Sequence, residues 1–256
     1  MSSDAACGSR IECMDCNCRI GTFEHMEEPH FTDVDGLLAE MEFIGISQAL
    51  VMHSWASHWS PRLGNAKLDE LIGDRDNLYP CYVALPSATG ELAPPAEFAA
   101  EVRARRGAVR LFPAEHQWDF TPWCAGELLD ALAARSVPAL IDMGQTNWNQ
   151  IAAVLEQYRE LPLIILGTSY RINRHIYPLF KKYENLYLEV NTHVMTWSLE
   201  DISERFGAER LIFGTGLPET EAGGALAQVR YNKLSDADKA RIAGGNLRSL
   251  LGMEEP

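Results

Sequence analysis

The sequence predicts an α/β protein whose eight strands and eight helices alternate and close into one (β/α)8 barrel, the TIM-barrel architecture. Eight apolar runs alternate with amphipathic runs at a spacing of roughly 25–30 residues, which suits strand–helix units. The runs are rich in Val, Ile and Leu, as expected for parallel strands buried on both faces. The chain has 256 residues, close to the ~250 of one such barrel. An open, doubly wound sheet is the alternative.

The predicted strands follow one another along the whole chain. In order they are RIECMDCNCRI, ISQALVMH, LYPCYVALP, GAVRLFP, VPALIDMG, LPLIILG, LYLEVN and RLIFGTG. In a barrel of this kind the active site lies at the C-terminal ends of the strands. Polar residues at those ends are therefore the candidates for function.

Helices are predicted between the strands from apolar residues spaced three and four apart. Thr32 predicts the start of the first helix, whose apolar face carries Val34, Leu37 and Met41, and Gly45 predicts its end. The same spacing of apolar residues predicts one helix around Leu128 and Leu132 and another around Ile176 and Phe180.

Two further helices have recognisable starts. Thr146 precedes an apolar face that includes Ile151 and Val154. Ser235, with Asp238 three residues later, forms a predicted capping box. From there an additional C-terminal helix runs into ARIAGGNLRSLLG. The domain prediction is a disordered tail over residues 1–10 and one barrel over residues 11–256.

Composition bounds the class of partner. The formal net charge is −14, which argues against nucleic acid, because that partner requires a basic face. The first ten residues contain no apolar run typical of a secretory leader, and no apolar run approaches the ~18 residues that a membrane span needs. We therefore expect a cytoplasmic protein with no membrane partner and with reduced cysteines.

The first strand carries unusual residues for its position. Strict alternation would place Asp15, Asn17 and Arg19 on the inner face of the strand, and Cys16 and Cys18 on the face toward the helices. No second cluster of Cys and His accompanies these cysteines, which predicts buried, unreactive thiols rather than a metal or redox site.

The order of several motifs resembles the amidohydrolase-related, metal-dependent hydrolases of the amidohydrolase superfamily. The motifs are MDCNCRIG, GAVRLFP, VPALID, LPLIILG, ENLYLEV, GAERLIFGTGLP and IAGGNLRSLLG. The resemblance spans roughly residues 11–251. It implies a (β/α)8 barrel that hydrolyses amides or esters, or decarboxylates small aromatic or carboxylic acids.

The resemblance also implies that the usual metal ligands are missing. The two histidines of the family's first-strand motif correspond to Asn17 and Arg19, and the eighth-strand aspartate corresponds to Gly216. The fifth-strand histidine falls near Asp142, and the sixth-strand histidine falls at Gly167 or Thr168. Because a guanidinium cannot ligate a metal, we predict no metal and no other cofactor. A rebuilt divalent-metal site is the alternative, with these ligands: Asp142, Glu189, His193 and Glu219.

The remaining polar residues at the strand ends suit an acid-binding pocket. The predicted substrate-binding residues are Asn17, Arg19, His53, Arg110 and Asn191. Arginine presents donors that match a carboxylate, and a nearby acid or histidine can transfer protons. The predicted catalytic residues are Asp142, Glu189 and His193.

Two hypotheses of different class follow. The first is a metal-independent hydrolase or decarboxylase that acts on a small carboxylated substrate. The second is an inactive barrel that serves as a structural or regulatory partner or as a binding protein, in which Arg19 and Arg110 only neutralise nearby carboxylates. The tryptophans of the strand-to-helix loops suit either a pocket wall or an interface. We expect a homo-oligomer, or a hetero-oligomer with a related barrel.

Overall fold

Eight parallel strands form a single sheet in the order β1 to β8, which confirms the predicted fold class. The computed structural model describes residues 11–22 and 30–253, so the tail predicted for residues 1–10 lies outside the described residues. The strands are β1 Cys13–Ile20, β2 Ile46–His53, β3 Leu78–Ala84, β4 Ala108–Leu111, β5 Ala139–Asp142, β6 Leu163–Leu166, β7 Leu186–Glu189 and β8 Leu211–Ile212.

Helices follow the strands and cover the outside of the sheet. They are α1 Val34–Ile44, α2 Ser54–His58, α3 Pro61–Ile72, α4 Pro95–Ala104, α5 Pro122–Ala133, α6 Trp148–Gln157, α7 Asn173–Lys182, α8 Ser198–Phe206, α9 Ala222–Arg230, α10 Asp236–Ala240 and α11 Asn246–Leu250. A π-helical turn, Arg241–Gly245, joins the last two into the predicted C-terminal helix. Within the described ranges every helix is too short or too polar to form a bilayer-spanning segment.

The helix starts differ from the sequence predictions by one residue. Asp33, and not Thr32, caps α1, because its carboxylate accepts a hydrogen bond from Gly36 N. Asn147, and not Thr146, caps α6. In both cases the observed cap is Asp or Asn, which are preferred over Thr at the N-cap position. Ser235 caps α10 as predicted, because its hydroxyl accepts from Asp238 N. The Asp238 carboxylate accepts from the Ser235 hydroxyl instead of the Ser235 backbone N–H, so only the first half of the capping box is confirmed.

β1 contains a bulge that overturns the strict alternation expected there. Asp15 pairs with Ala49 and Cys18 pairs with Val51, so two residues of β1, Cys16 and Asn17, oppose one residue of β2. Cys16 therefore packs in the cluster that fills the barrel interior, whereas Cys18 packs between barrel and helices. The prediction that Asp15 faces inward and Cys16 faces the helices is wrong.

Burial of the cysteines is confirmed. Cys13, Cys16, Cys18 and Cys81 are buried free thiols. Burial raises the pKa of Cys16 and of Cys18 well above the ordinary value. A thiol that stays protonated is a poor nucleophile and a poor metal ligand.

Backbone and side-chain hydrogen bonds close the barrel between β8 and β1. Cys16 N donates to Phe213 O at 3.1 Å, and Gly216 N donates to Asn17 O at 3.0 Å. The buried carboxylate of Asp15 accepts from Asn17 N at 2.8 Å, from Thr215 N at 3.0 Å and from the Thr215 hydroxyl. Asp15 therefore joins the first strand to the segment after the last one.

Replacing Asp15 with alanine is expected to lower the free energy of unfolding by about 3 kcal/mol, because buried donors lose their acceptor. Asp15→Asn is expected to cost less than about 1 kcal/mol, since the amide oxygen still accepts from the backbone and the Thr215 hydroxyl can rotate to accept from the new NH₂ group. Urea unfolding of both variants measures this difference. Equal losses would show that the charge, and not the hydrogen bonding, closes the barrel.

Candidate functional site

Arg110 lies at the centre of a polar cluster inside the C-terminal end of the barrel. Its side chain is only 2% exposed and forms an ion pair with Asp142 through Nη2. Its Nη1 donates to Asn17 Oδ1 at 2.8 Å. Burial opposes the charge, but Asp142, together with Cys81 and Glu189, more than offsets this effect and raises the pKa of Arg110 above its ordinary value. The strand ends thus bring together three residues predicted from β1, β4 and β5.

Glu189, the last residue of β7, forms the second part of the cluster. Its Oε1 accepts from Asn17 Nδ2 at 3.2 Å, and the side chain is 1% exposed. A Cβ atom on Gly214 would lie 2.7 Å from this oxygen, so glycine makes room for the carboxyl group. Burial raises the pKa of Glu189 to about 7, although Asn17 and Arg110 act in the opposite direction. A carboxyl group with this pKa can donate and accept a proton near neutral pH.

Arg19 forms a second ion pair nearer to the solvent. Its Nη1 lies 2.8 Å from Glu219 Oε1, and the two side chains are 15% and 40% exposed. Asn17 and Asp142 are also partly exposed, so solvent reaches the cluster from the mouth. The barrel end is therefore a charged, partly open site, with Arg110 and Glu189 at its buried base.

His193, predicted as catalytic, is completely buried in the segment after β7. Neither ring nitrogen makes a hydrogen bond of ordinary geometry with the described residues, and the backbone of Ser169 is the polar group that acts on the ring. Burial lowers the pKa of His193 to about 4, so the imidazole is neutral at pH 7. A neutral ring can accept or donate a hydrogen bond, but it carries no proton to give as an imidazolium.

Two predicted binding residues are not brought into the Arg110 cluster. His53 pairs in register with Ile20, which faces the helices, and its Nδ1 accepts from Trp55 N at the start of α2. Burial, with a smaller effect of Lys67, lowers the pKa of His53. The Asn191 side chain donates to Thr215 O and supports the segment after β8.

Sequence reasoning did not include Glu219 or Cys16 among the substrate-site residues. Glu219 is predicted only as a metal ligand, although its place just after the predicted eighth strand is a signal for the barrel mouth. Strict alternation assigns Cys16 to the outer face and thereby excludes it from the predicted site. It lies close to Glu189, since a Cβ atom on Gly214 would approach both side chains within 3 Å.

The described residues do not fit the divalent metal that the family resemblance implies. The resemblance assigns Arg19 and Gly216 to two of the family's ligand positions, and the guanidinium of Arg110 lies between Asn17 and Asp142. A guanidinium has no lone pair to offer and repels a cation. Within residues 11–22 and 30–253 no group of three His, Cys, Asp or Glu side chains is arranged to hold a metal ion. This result covers the four residues of the alternative metal site. The absence of a cofactor itself stays a prediction.

Fold and site together define a (β/α)8-barrel protein with a charged cluster where such barrels bind their ligands. The chain belongs to the amidohydrolase family, whose model matches residues 52–253. β1, with Asn17 and Arg19, precedes the matched residues. A comparison with curated proteins finds no match.

Solved structures share the fold at low sequence identity. A 2,6-dihydroxybenzoate decarboxylase from Rhizobium is 13% identical, with a TM-score of 0.72 over 94% of this chain and 98% of that chain. A dihydroxybenzoic acid decarboxylase from Polaromonas with bound manganese is 15% identical, with a TM-score of 0.58 over 96% and 98%. A probable 2-pyrone-4,6-dicarboxylic acid hydrolase from Acinetobacter baumannii, with citric acid bound, is 15% identical, with a TM-score of 0.64 over 94% and 100%.

Proposed function

We propose that this protein is an enzyme that binds a small carboxylated substrate at the barrel mouth and decarboxylates it without a divalent metal. The observation that carries the proposal is Glu189, a buried carboxyl group with a pKa of about 7 beside the guanidinium of Arg110. It supplies a proton donor next to a site that attracts anions. The similarity of this chain to decarboxylases in fold, and its match to the family, are consistent with this reaction.

The residues divide into binding and proton-transfer roles. Arg19 binds the substrate carboxylate at the partly open side, and Arg110 stabilises negative charge from the buried side. The bond between the carboxylate carbon and its neighbour breaks, and CO₂ leaves. The electron pair remains on the neighbouring carbon, to which Glu189 gives its proton. Solvent returns a proton to Glu189, and Asn17 holds the carboxyl group in place.

Hydrolysis uses the same groups in the other protonation state. The Glu189 carboxylate would take a proton from water, whose oxygen attacks an amide or lactone carbonyl. The two reactions are distinguished by their products, since only decarboxylation releases CO₂. A screen of dihydroxybenzoates, other small acids, lactones and amides with chelator-treated protein is expected to show CO₂ release, and loss of turnover after chelation would contradict metal independence.

Removing the guanidinium of Arg19 is expected to weaken binding of a carboxylate. Benzoate titrated calorimetrically into Arg19→Gln should bind at least about tenfold more weakly than to the wild type, because a charge-assisted pair is lost. Benzamide has nearly the same shape without the charge and serves as the control ligand. Equal affinity of the wild type for benzoate and benzamide would rule out carboxylate recognition at this site.

A second candidate function is a non-catalytic barrel that binds another protein. It is favoured by the two ion pairs, in which Arg19 and Arg110 already have carboxylate partners. Trp59 and Trp123 are 71% and 78% exposed, and tryptophan is enriched at interfaces. This candidate predicts a homo-oligomer or an assembly with a related barrel, and no turnover in the screen. A monomer in solution that turns over a small acid would contradict it.

A further inference from the structure

We propose that Glu219 occupies, in the ligand-free protein, the position that the substrate carboxylate takes on Arg19. Substrate then binds by exchange with Glu219, which makes this residue a determinant of specificity. A ligand must bring its own carboxylate to replace the one it displaces. This inference rests on the proposed function, because it concerns the same guanidinium group.

The Arg19–Glu219 contact has the properties of an exchangeable pair. One nitrogen of Arg19 contacts one oxygen of Glu219 at 2.8 Å, so the pair lacks the two parallel hydrogen bonds of the strongest arginine–carboxylate geometry. Glu219 is 40% exposed, and its carboxylate can therefore be hydrated when it leaves. Solvent at the Glu219 side of the pair weakens the attraction between the two charges. By contrast, Asp142 pairs with an Arg110 that is 2% exposed.

Charge balance identifies Glu219 as the group that leaves. Two guanidinium groups, of Arg19 and Arg110, face two carboxylates, of Asp142 and Glu219, in these ion pairs. A substrate carboxylate would add a third negative charge beside the buried Glu189, and burying an uncompensated charge is costly. Release of the most exposed carboxylate into solvent restores the balance. The site then holds the substrate where Glu219 was.

The backbone around Glu219 lets its side chain leave without opening the barrel. Arg19 N donates to Leu217 O at 2.8 Å, and Gly216 N donates to Asn17 O at 3.0 Å, which ties the preceding segment to β1. Glu219 N and Thr220 N both donate to Gly216 O, so the residue sits in a tight turn. Rotation of the Glu219 side chain alone therefore uncovers Arg19. We expect exchange without rearrangement of the strands.

The test is a benzoate titration of Glu219→Gln against a matched variant of the same segment, Glu221→Gln. Glu221 is 89% exposed and lies 3.7 Å from His30. Both substitutions remove one negative charge near the mouth, but only the first removes the competitor from Arg19. Glu219→Gln is expected to bind benzoate roughly threefold to tenfold more tightly than the wild type. Glu221→Gln should stay within about twofold of the wild type, and benzamide should not distinguish any of the three proteins.

The outcomes separate this inference from the proposed function. Tighter binding by Glu219→Gln supports exchange, because damage to a merely structural contact would weaken binding. If benzoate binds the wild type but binds Glu219→Gln no more tightly, the exchange is overturned and the carboxylate site remains supported. An equal gain in both variants also overturns it, since a general effect of charge would then explain the result. Absence of benzoate binding in all three proteins overturns the carboxylate site and the exchange together.

Discussion

Glu189→Gln is expected to lower kcat by about 100-fold to 10,000-fold, the range that a lost general acid or base costs. The amide oxygen of the glutamine variant can still accept from Asn17 Nδ2, which donates to Glu189 Oε1 at 3.2 Å, so the geometry of the cluster is kept. Affinity for benzoate should change little, because Arg19 and Arg110 remain. Steady-state kinetics on the best substrate from the screen measure this effect. Unchanged kcat would remove Glu189 from the reaction.

The same variant tests the unusual ionisation of Glu189 without any substrate. Burial raises the pKa of Glu189 from 4.5 to about 7, so the folded chain binds this proton more tightly than the unfolded chain. The resulting stabilisation is complete below about pH 4.5 and is lost as the pH rises through 7. Linkage gives a difference on the order of 3 kcal/mol.

The measurement compares urea unfolding of the wild type and of Glu189→Gln between pH 4 and pH 8. The free energy of unfolding of the wild type should fall relative to the variant across this range, because only the wild type must hold a buried carboxylate at high pH. A constant difference between the two proteins would mean that the pKa of Glu189 is the same in the folded and unfolded chains, so that the carboxyl group is ionised near pH 7. In that case it could not deliver a proton near neutral pH.

Arg110→Met is expected to lower the free energy of unfolding by about 3–5 kcal/mol. The substitution leaves Asp142 and Asn17 without their cationic partner at the base of the mouth, while methionine fills a similar volume. Removing one member of a buried ion pair is costly because the remaining charge loses its compensation. Chemical unfolding at pH 7 measures the loss. A change under about 1 kcal/mol would show that Asp142 finds sufficient solvation in the partly open mouth.

The double variant Arg110→Met/Asp142→Leu is the control for this prediction. Replacing both charges with apolar groups of similar volume is expected to recover most of the lost stability. The double variant should nevertheless lose catalysis. Recovery of stability without recovery of function would show that the pair is kept for the site and not for the fold.

Much of the fold could be predicted because it follows from local pattern. Each of the eight strands lies within or overlaps a predicted run, and the predicted bounds of β2 equal the observed bounds, Ile46–His53. The eighth strand was predicted over residues 210–216 but is Leu211–Ile212. Beyond Ile212 the chain bonds to β1 through isolated backbone contacts and through Asp15, and no sequence periodicity indicates contacts of that kind.

The site was predictable in part for a related reason. The ends of parallel strands meet, so Asn17, Arg110 and Asp142 could be expected at one place. Which face of a strand a residue occupies depends on unbroken register. His53 lies on the outer side of its strand, so its position at a strand end does not bring it into the site. Strict alternation fails for Cys16, because the bulge changes the face that this residue occupies. Pairing between particular charges, such as Arg19 with Glu219, depends on loop geometry.

The bulge in β1 has a consequence for how the barrel keeps its register around the site. A closed barrel has a fixed shear, so every strand must keep its stagger against its neighbours. The extra residue of β1 enters between the pairs Asp15–Ala49 and Cys18–Val51, and it compensates an opposite irregularity in β2, where Ile46 pairs with Cys13 but Gln48 pairs with Met14. Asn17, which bridges Arg110 and Glu189, therefore lies in a bulge whose effect on the register is cancelled within the same strand pair, so the pairs Cys13–Ile46 and Ile20–His53 at the two ends keep the same offset.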